Sequence, residues 1–251
     1  MIDGTTVIDF HGHTGRWEYL DMVDNPDTML RAMDAVGIDR TCLFNIFHPD
    51  GTRANDVTAA FVSQEPDRFI GFAYVCPLMP ERLVPELERA IDKLGFSAIK
   101  ICPTHTAYHL NHPAWHPVYQ FAHDRELTII SHTNSWPTVN EPKYLGEAAS
   151  LFPKANFIAG HAGNTALGRH QAIEACQRCP NFYVETCSTF RTPGVIEELV
   201  SEAGADRVLY GSDMPLIDPL SQIGKIITAD ITDGAKRLVL GENARRLLKL
   251  K

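Results

Sequence analysis

Long apolar runs are missing from this chain. No stretch approaches the ~20 apolar residues of a membrane span, and no basic leader followed by an apolar run opens it. A membrane protein is therefore not expected, and a cytoplasmic one is. Positive charge is in deficit, with 23 Lys and Arg against 31 Asp and Glu and a net charge of -8. That excludes nucleic acid and anionic membrane as main partners. A small anionic substrate stays open, since it needs only a local Lys or Arg. Cysteine is sparse: Cys42, Cys76, Cys102, Cys176, Cys179 and Cys187 are scattered and form no disulfide framework. Cys176-Gln177-Arg178-Cys179 is formally C-x-x-C, but it lacks a second pair and stands just before Pro180, which argues against a redox or zinc-knuckle role. Glycine-rich phosphate loops are absent. Gly211-Ser212-Asp213 lacks the G-x-S-x-G elbow, so Ser131, Ser188 and Ser212 are weak nucleophile candidates.

What is present is an alternation. Hydrophobic residues make up 44% of the chain, enough for a sizeable core. Short apolar runs at residues 6–13, 41–47, 69–75, 97–101, 127–132, 157–161, 182–186 and 207–213 read as strands. Between them lie helical segments at 31–37, 54–64, 81–94, 116–125, 166–176 and 195–203. Leu83, Leu87, Ile91 and Leu94 share one helical face. Gly37, Gly95 and Gly204 serve as stops. Successive strand ends lie roughly 25–34 residues apart, the spacing of strand-plus-helix units. Eight such units predict a (β/α)8 TIM barrel, an α/β fold. No linker or charge block divides residues 1–251, so a single domain is expected, closing on a helix near 243–250.

The barrel gives the histidines a meaning, because its chemistry gathers at the C-terminal ends of the strands. His11 and His13 end the first strand, two apart, and project together. Lys100 ends the fourth, His132 the fifth, His161 the sixth and Asp213 the eighth. One such residue is ordinarily a hydrogen-bonded core or loop group; five of eight strands delivering one to the same rim is hard to reach by packing alone. His11, His13, His132 and Asp213 offer three imidazoles and a carboxylate. That set suits one divalent ion, Zn²⁺ foremost, with Mn²⁺, Fe²⁺ or Co²⁺ also fitting. Asp213 would both bind it and take a proton from its water, and His161 would polarise a carbonyl or shuttle a proton.

Several segments carry a resemblance. They are Val7-Ile8-Asp9-Phe10-His11-Gly12-His13, Pro66-Asp67-Arg68-Phe69-Ile70-Gly71-Phe72 and Gly95-Phe96-Ser97-Ala98-Ile99-Lys100. With them come Ile130-Ser131-His132, Gly160-His161-Ala162-Gly163, Tyr210-Gly211-Ser212-Asp213-Met214-Pro215 and the closing Leu240-Gly241-Glu242-Asn243-Ala244-Arg245-Arg246-Leu247-Leu248. Together these resemble the amidohydrolase superfamily, in its amidohydrolase-2 branch related to aminocarboxymuconate-semialdehyde decarboxylase. The resemblance implies a mononuclear metal on His11, His13, His132 and Asp213, and a catalytic or substrate-contacting His161. Lys100 stays open between substrate contact, ion pair and a carboxylated bridge between two metals. An unmodified ammonium cannot bind metal, which favours the first two and makes a second metal unlikely. Relatives of this kind are often dimers, which leaves a homodimer open.

Around the expected mouth stand Arg16, Trp17, Trp136, His105, His109, His112 and Trp115, able to shape an aromatic pocket or merely to line loops. Arg53 and Arg191 are carboxylate clamps or surface ion-pair partners. Lys100, Arg53, His105 and Trp136 are the expected substrate contacts. Asp9 shares strand parity with His11 and would orient it or make a buried structural bond. Glu185 reads as an ion-pair or wall residue. The leading functional reading is a metal-dependent hydrolase of a small amide, ester or lactone. A non-oxidative decarboxylase of a small unsaturated or aromatic carboxylate uses the same ligands, and a non-catalytic metal- or metabolite-binding barrel is the third reading.

Overall fold

The structure is a computed structural model, and it describes residues 4–18, 21–136, 138–188 and 192–250. Eight strands form one parallel sheet: β1 Ile8–His13, β2 Arg40–Phe44, β3 Phe69–Tyr74, β4 Ala98–Ile101, β5 Thr128–His132, β6 Asn156–Gly160, β7 Phe182–Glu185 and β8 Val208–Leu209. Each pairs with the next in sequence order. The sheet closes where His11 O accepts from Asp213 N at 2.7 Å, Met214 O from His13 N at 2.7 Å and Tyr210 O from Phe10 N at 3.0 Å. This is the TIM barrel the sequence predicts, with every expected strand found.

Helices α1 Pro26–Val36, α2 Gly51–Val62, α3 Pro80–Asp92, α4 His116–Arg125, α5 Pro142–Leu151, α6 Ala166–Arg178, α7 Val195–Ala203 and α8 Pro219–Thr228 fill the intervals. Their starts are chemically marked. Asn25 accepts from Thr28 N ahead of α1, Asp50 from Thr52 N ahead of α2, and Asp218 from Leu220 N ahead of α8. Each cap satisfies a backbone donor that the first turn cannot. Among the described residues no helix is long and apolar enough to cross a membrane.

Alternation along the strands sorts the core into two layers. Val7, Leu43, Phe69, Ile99, Ile129, Phe157, Phe182 and Val208 face the helices. Ile8, Phe10, Phe44, Ile70, Phe72, Ile130, Ile158 and Leu209 fill the lumen, which the terminal segment enters with Ala244, Leu247 and Leu248. Full burial of each large side chain contributes about 1.5–3 kcal/mol. The lumen is thus a packed, mainly apolar floor.

Strand β1 breaks its own alternation. Ile8 and Asp9 pair with Arg40 and Thr41, while Gly12 and His13 pair with Leu43 and Phe44, so Phe10 and His11 together stand opposite Cys42. The extra residue is a β-bulge, which re-aims the strand beyond it. Ile8 and Phe10 point into the lumen below the bulge, and His11 and His13 do so above it.

Candidate metal centre

Three side chains converge at the top of β1 and just after β8. His13 Nε2 lies 2.9 Å from Asp213 Oδ1, and His11 Nε2 lies 3.6 Å from the same oxygen. One donor atom from each of His11, His13 and Asp213 lies within 4.8 Å of the others. Asp213 adopts φ 65°, a left-handed conformation that a non-glycine residue holds only under constraint. The constraint is the bond from its N–H to His11 O, together with Asp9. That buried carboxylate accepts from His11 N at 3.0 Å, Ser212 N at 2.8 Å and Ser212 Oγ at 2.6 Å. Asp9 therefore fastens two backbones together. It does not orient the His11 ring, because the bulge removes the parity that the sequence suggested.

The ring is oriented instead by Glu185, which the sequence left as an ion-pair partner or wall residue. Glu185 Oε2 accepts from His11 Nδ1 at 2.7 Å and from His161 N at 3.3 Å; its other oxygen accepts from Cys187 N. A proton fixed on Nδ1 leaves the Nε2 lone pair facing the cluster, the arrangement found behind metal-bound histidines. Room for the carboxylate comes from Gly211, where a Cβ would stand 2.1 Å from Glu185 Oε1 and 2.9 Å from His11 Cβ.

Lys100 is fully buried, its Nζ 3.1 Å from His11 Nε2 and 4.3 Å above the Phe44 ring. His161, at φ 67°, sets Nδ1 2.9 Å from Cys187 O. Its ring lies 4.8 Å from that of His11 and 4.6 Å from that of His132. His132 stands outside the group of three donor atoms. Beside His13, at 5.9 Å, lies Phe47, and Trp17 packs on Phe47 at 5.2 Å, forming an aromatic wall.

The electrostatics suit a cation. Burial drives His11 and His132 well below the ordinary imidazole range and His161 down to about 4, with Lys100 adding to the effect on each. The imidazoles are neutral near pH 7 and keep their lone pairs. Burial pushes Asp213 up, but the His13 hydrogen bond and the electrostatic pull of His13, His161 and Lys100 hold it well below the carboxylate range. Burial pushes Glu185 up to about 8 and pulls Lys100 down. Two imidazole nitrogens, one carboxylate oxygen and a carboxylate behind one imidazole fit a divalent ion.

The other expected contacts fall elsewhere. Arg53 is exposed on the first turn of α2, and Trp136 is 77% exposed. Both ring nitrogens of His105 face protein partners, Tyr74 Oη at 2.8 Å and Cys102 Sγ at 3.9 Å. Trp115 is buried, His109 packs on Tyr144, and His112 stacks on Tyr108 while accepting from Ala114 N. This loop is packed structure, the second of the two readings that the sequence left open. Arg16 pairs with exposed Glu18 at 3.8 Å, and Arg191 lies outside the described residues.

Barrel and cluster together define a TIM-barrel protein whose C-terminal rim carries a His–His–Asp group able to hold a metal ion. More narrowly, the chain belongs to the amidohydrolase family, whose family model, described as "Amidohydrolase", matches residues 8–250. It is 26% identical to gamma-resorcylate decarboxylase of Rhizobium radiobacter, over 91% of this chain and 88% of that one. It is 24% identical to 2-keto-4-carboxy-3-hexenedioate hydratase of Sphingobium sp. (strain NBRC 103272 / SYK-6), over 79% of this chain and 71% of the relative. Among solved structures, 2,6-dihydroxybenzoate decarboxylase in complex with 2,6-dihydroxybenzoate superposes with TM-score 0.80 at 21% identity, covering 98% of this chain and 100% of the other. The dihydroxybenzoic acid decarboxylase of Polaromonas sp. JS666, holding manganese and the inhibitor 2-nitroresorcinol, gives 0.77 at 21% identity, covering 98% and 97%. The hydrolase expected from the sequence is corrected by these relatives, which are named for decarboxylation and hydration. The family was legible in the sequence, but fold and family do not set the reaction.

Proposed function

We propose that the protein is a metal-dependent, non-oxidative decarboxylase of a small, planar, unsaturated or aromatic carboxylate. The observation that carries the reading is Lys100: a buried ammonium beside the His–Asp cluster, with no carboxylate partner within salt-bridge distance among the described residues. Desolvating a cation without a counter-ion is costly, and an anionic substrate supplies one. The gamma-resorcylate decarboxylase relatives support the same substrate class.

His11, His13 and Asp213 would hold the ion, with His132, at the end of β5, as the fourth ligand. A bound divalent ion supplies Lewis acidity, drawing electron density from oxygen atoms of the substrate. The remaining work falls to side chains. Were His11 Nε2 to serve as a ligand, the Lys100 ammonium that now faces it would be free to pair with the substrate carboxylate. Phe47 and Trp17 offer a flat face to its ring. Loss of CO₂ from the acid leaves its proton to be placed on carbon, so one group must take that proton and return it. Asp213, fixed between two imidazoles, is assigned that role. His161, with Nδ1 anchored on Cys187 O, presents Nε2 as the second polar contact.

The test is incubation of protein loaded with manganese or zinc against dihydroxybenzoates and unsaturated dicarboxylates, reading CO₂ release. Release that is lost on chelation and in Asp213→Asn supports the proposal. Water addition to an oxo-acid without CO₂, or turnover undiminished in Asp213→Asn, would overturn it.

A further inference from the structure

One cysteine is built unlike the others. Cys102 lies just beyond β4, two residues after Lys100 and therefore on the same side of the strand. Two groups close on its sulfur, Thr104 Oγ1 at 3.5 Å and His105 Nε2 at 3.9 Å. Each is set from behind. Asn140, from the loop after β5, donates its amide to Thr104 Oγ1 at 3.3 Å, leaving the hydroxyl proton for the sulfur. Tyr74, the last residue of β3, places its hydroxyl 2.8 Å from His105 Nδ1. Burial raises the phenol's pKa, so it stays protonated. A neutral His105 that accepts from Tyr74 carries its proton on Nε2, toward the sulfur, and the imidazolium does so as well.

Two relays from different strands thus end on one sulfur as donors. Burial pushes Cys102 up, yet the His105 and Thr104 contacts and the Lys100 charge hold it below the ordinary thiol value, and His105 rises above its own. Cys42, Cys76, Cys176 and Cys187 are all driven the other way by burial. The proposed decarboxylation uses neither Cys102 nor Tyr74.

We propose that Cys102 is a modification site, a thiol that His105 and Thr104 prepare for attack on a hydroperoxide. The sulfur attacks the nearer peroxide oxygen, an S–O bond forms, and the O–O bond breaks. The reacting form is the thiolate, its proton held on the His105 imidazolium; the departing hydroxide takes the Nε2 proton of that imidazolium and leaves as water, and His105 is left neutral. Sulfur is oxidised by two electrons to sulfenic acid, and the peroxide is reduced. Cys102 is 4% exposed, while Thr104 and His105 beside it are exposed, which gives a molecule as small as hydrogen peroxide an approach.

The experiment treats the intact protein with limiting hydrogen peroxide, traps sulfenic acid with a dimedone probe and maps the label over all six cysteines. Label on Cys102 should exceed that on each other thiol about tenfold, following its thiolate fraction. His105→Gln and Thr104→Val, both at exposed positions, should each lower the Cys102 rate about tenfold at pH 7 and leave the other thiols unchanged. Label spread evenly, Cys102 reacting no faster than in the urea-unfolded chain, or both variants reacting at the parent rate would overturn the proposal. None of these readouts depends on which substrate the barrel turns over.

Discussion

Replacing Glu185 with glutamine tests the centre at its least visible support. The carboxylate accepts from His11 Nδ1, His161 N and Cys187 N, while the Cys187 thiol lies 3.1 Å from it. An amide of the same shape has one oxygen, so at least one buried donor must meet an NH₂ group instead. A buried donor left unsatisfied costs about 1–3 kcal/mol. At about 2–4 °C per kcal/mol for a chain of this size, the melting temperature should fall by about 2–12 °C. The second effect is sharper. If the amide nitrogen turns toward His11, the ring shifts its proton to Nε2 and loses the lone pair the ion needs. Loss of such a supporting bond typically weakens metal binding about 10–100-fold. Metal titration by calorimetry, with a melting curve on the same sample, reads both effects. Glu185→Gln binding the ion at the parent affinity would refute the idea that this carboxylate sets the His11 tautomer.

Gly211→Ala should destabilise the fold by about 1–3 kcal/mol through overpacking, since its Cβ would stand 2.1 Å from Glu185 Oε1; urea denaturation measures it. Phe47→Ala should raise KM about fivefold, from about 1 kcal/mol of lost ring contact, whereas Trp136→Ala, at a position 77% exposed, should leave it unchanged. Glu86 sets a pH dependence outside the His–Asp cluster. Burial pushes its carboxyl up, but bonds from Arg89, Asn55 and Thr52 outweigh that and hold it below its ordinary value. A depressed carboxyl contributes stability that is fully present above the unfolded value of about 4.3 and is lost as pH falls through the lower folded value. Melting curves should therefore steepen in their acid decline below about pH 4.3, and Glu86→Gln should flatten that decline.

The strands were readable because a TIM-barrel strand, covered on both faces, is a compact apolar run between polar loops. Helix α5 was not readable: its buried positions include Gly146, Ala148 and Ala149, too small to trace a hydrophobic stripe. Helix α8 carried a signal, Asp218-Pro219 ahead of Ile223 and Ile226, that a search for stripes alone overlooks. At the rim, His11, His13 and Asp213 could be found because strand ends and residue type suffice to place them. Glu185 could not, since its value lies in a bond to a residue 174 positions away. His105 and Trp115 stayed ambiguous for the opposite reason. Loop residues of binding type look alike in sequence whether they face a substrate or the protein's own packing.

The bulge in β1 has a consequence for how this barrel can change. A strand with strict alternation ties its chemistry to its packing, because whatever moves the side chains at the rim also moves those at the floor. Here one additional residue at Phe10–His11 uncouples the two. Ile8 and Phe10 can be exchanged to suit a remodelled interior while His11 and His13 keep their aim. Removing that residue would turn both histidines toward the helices at a stroke. The floor is free to drift, and the rim hangs on the presence of a single peptide unit.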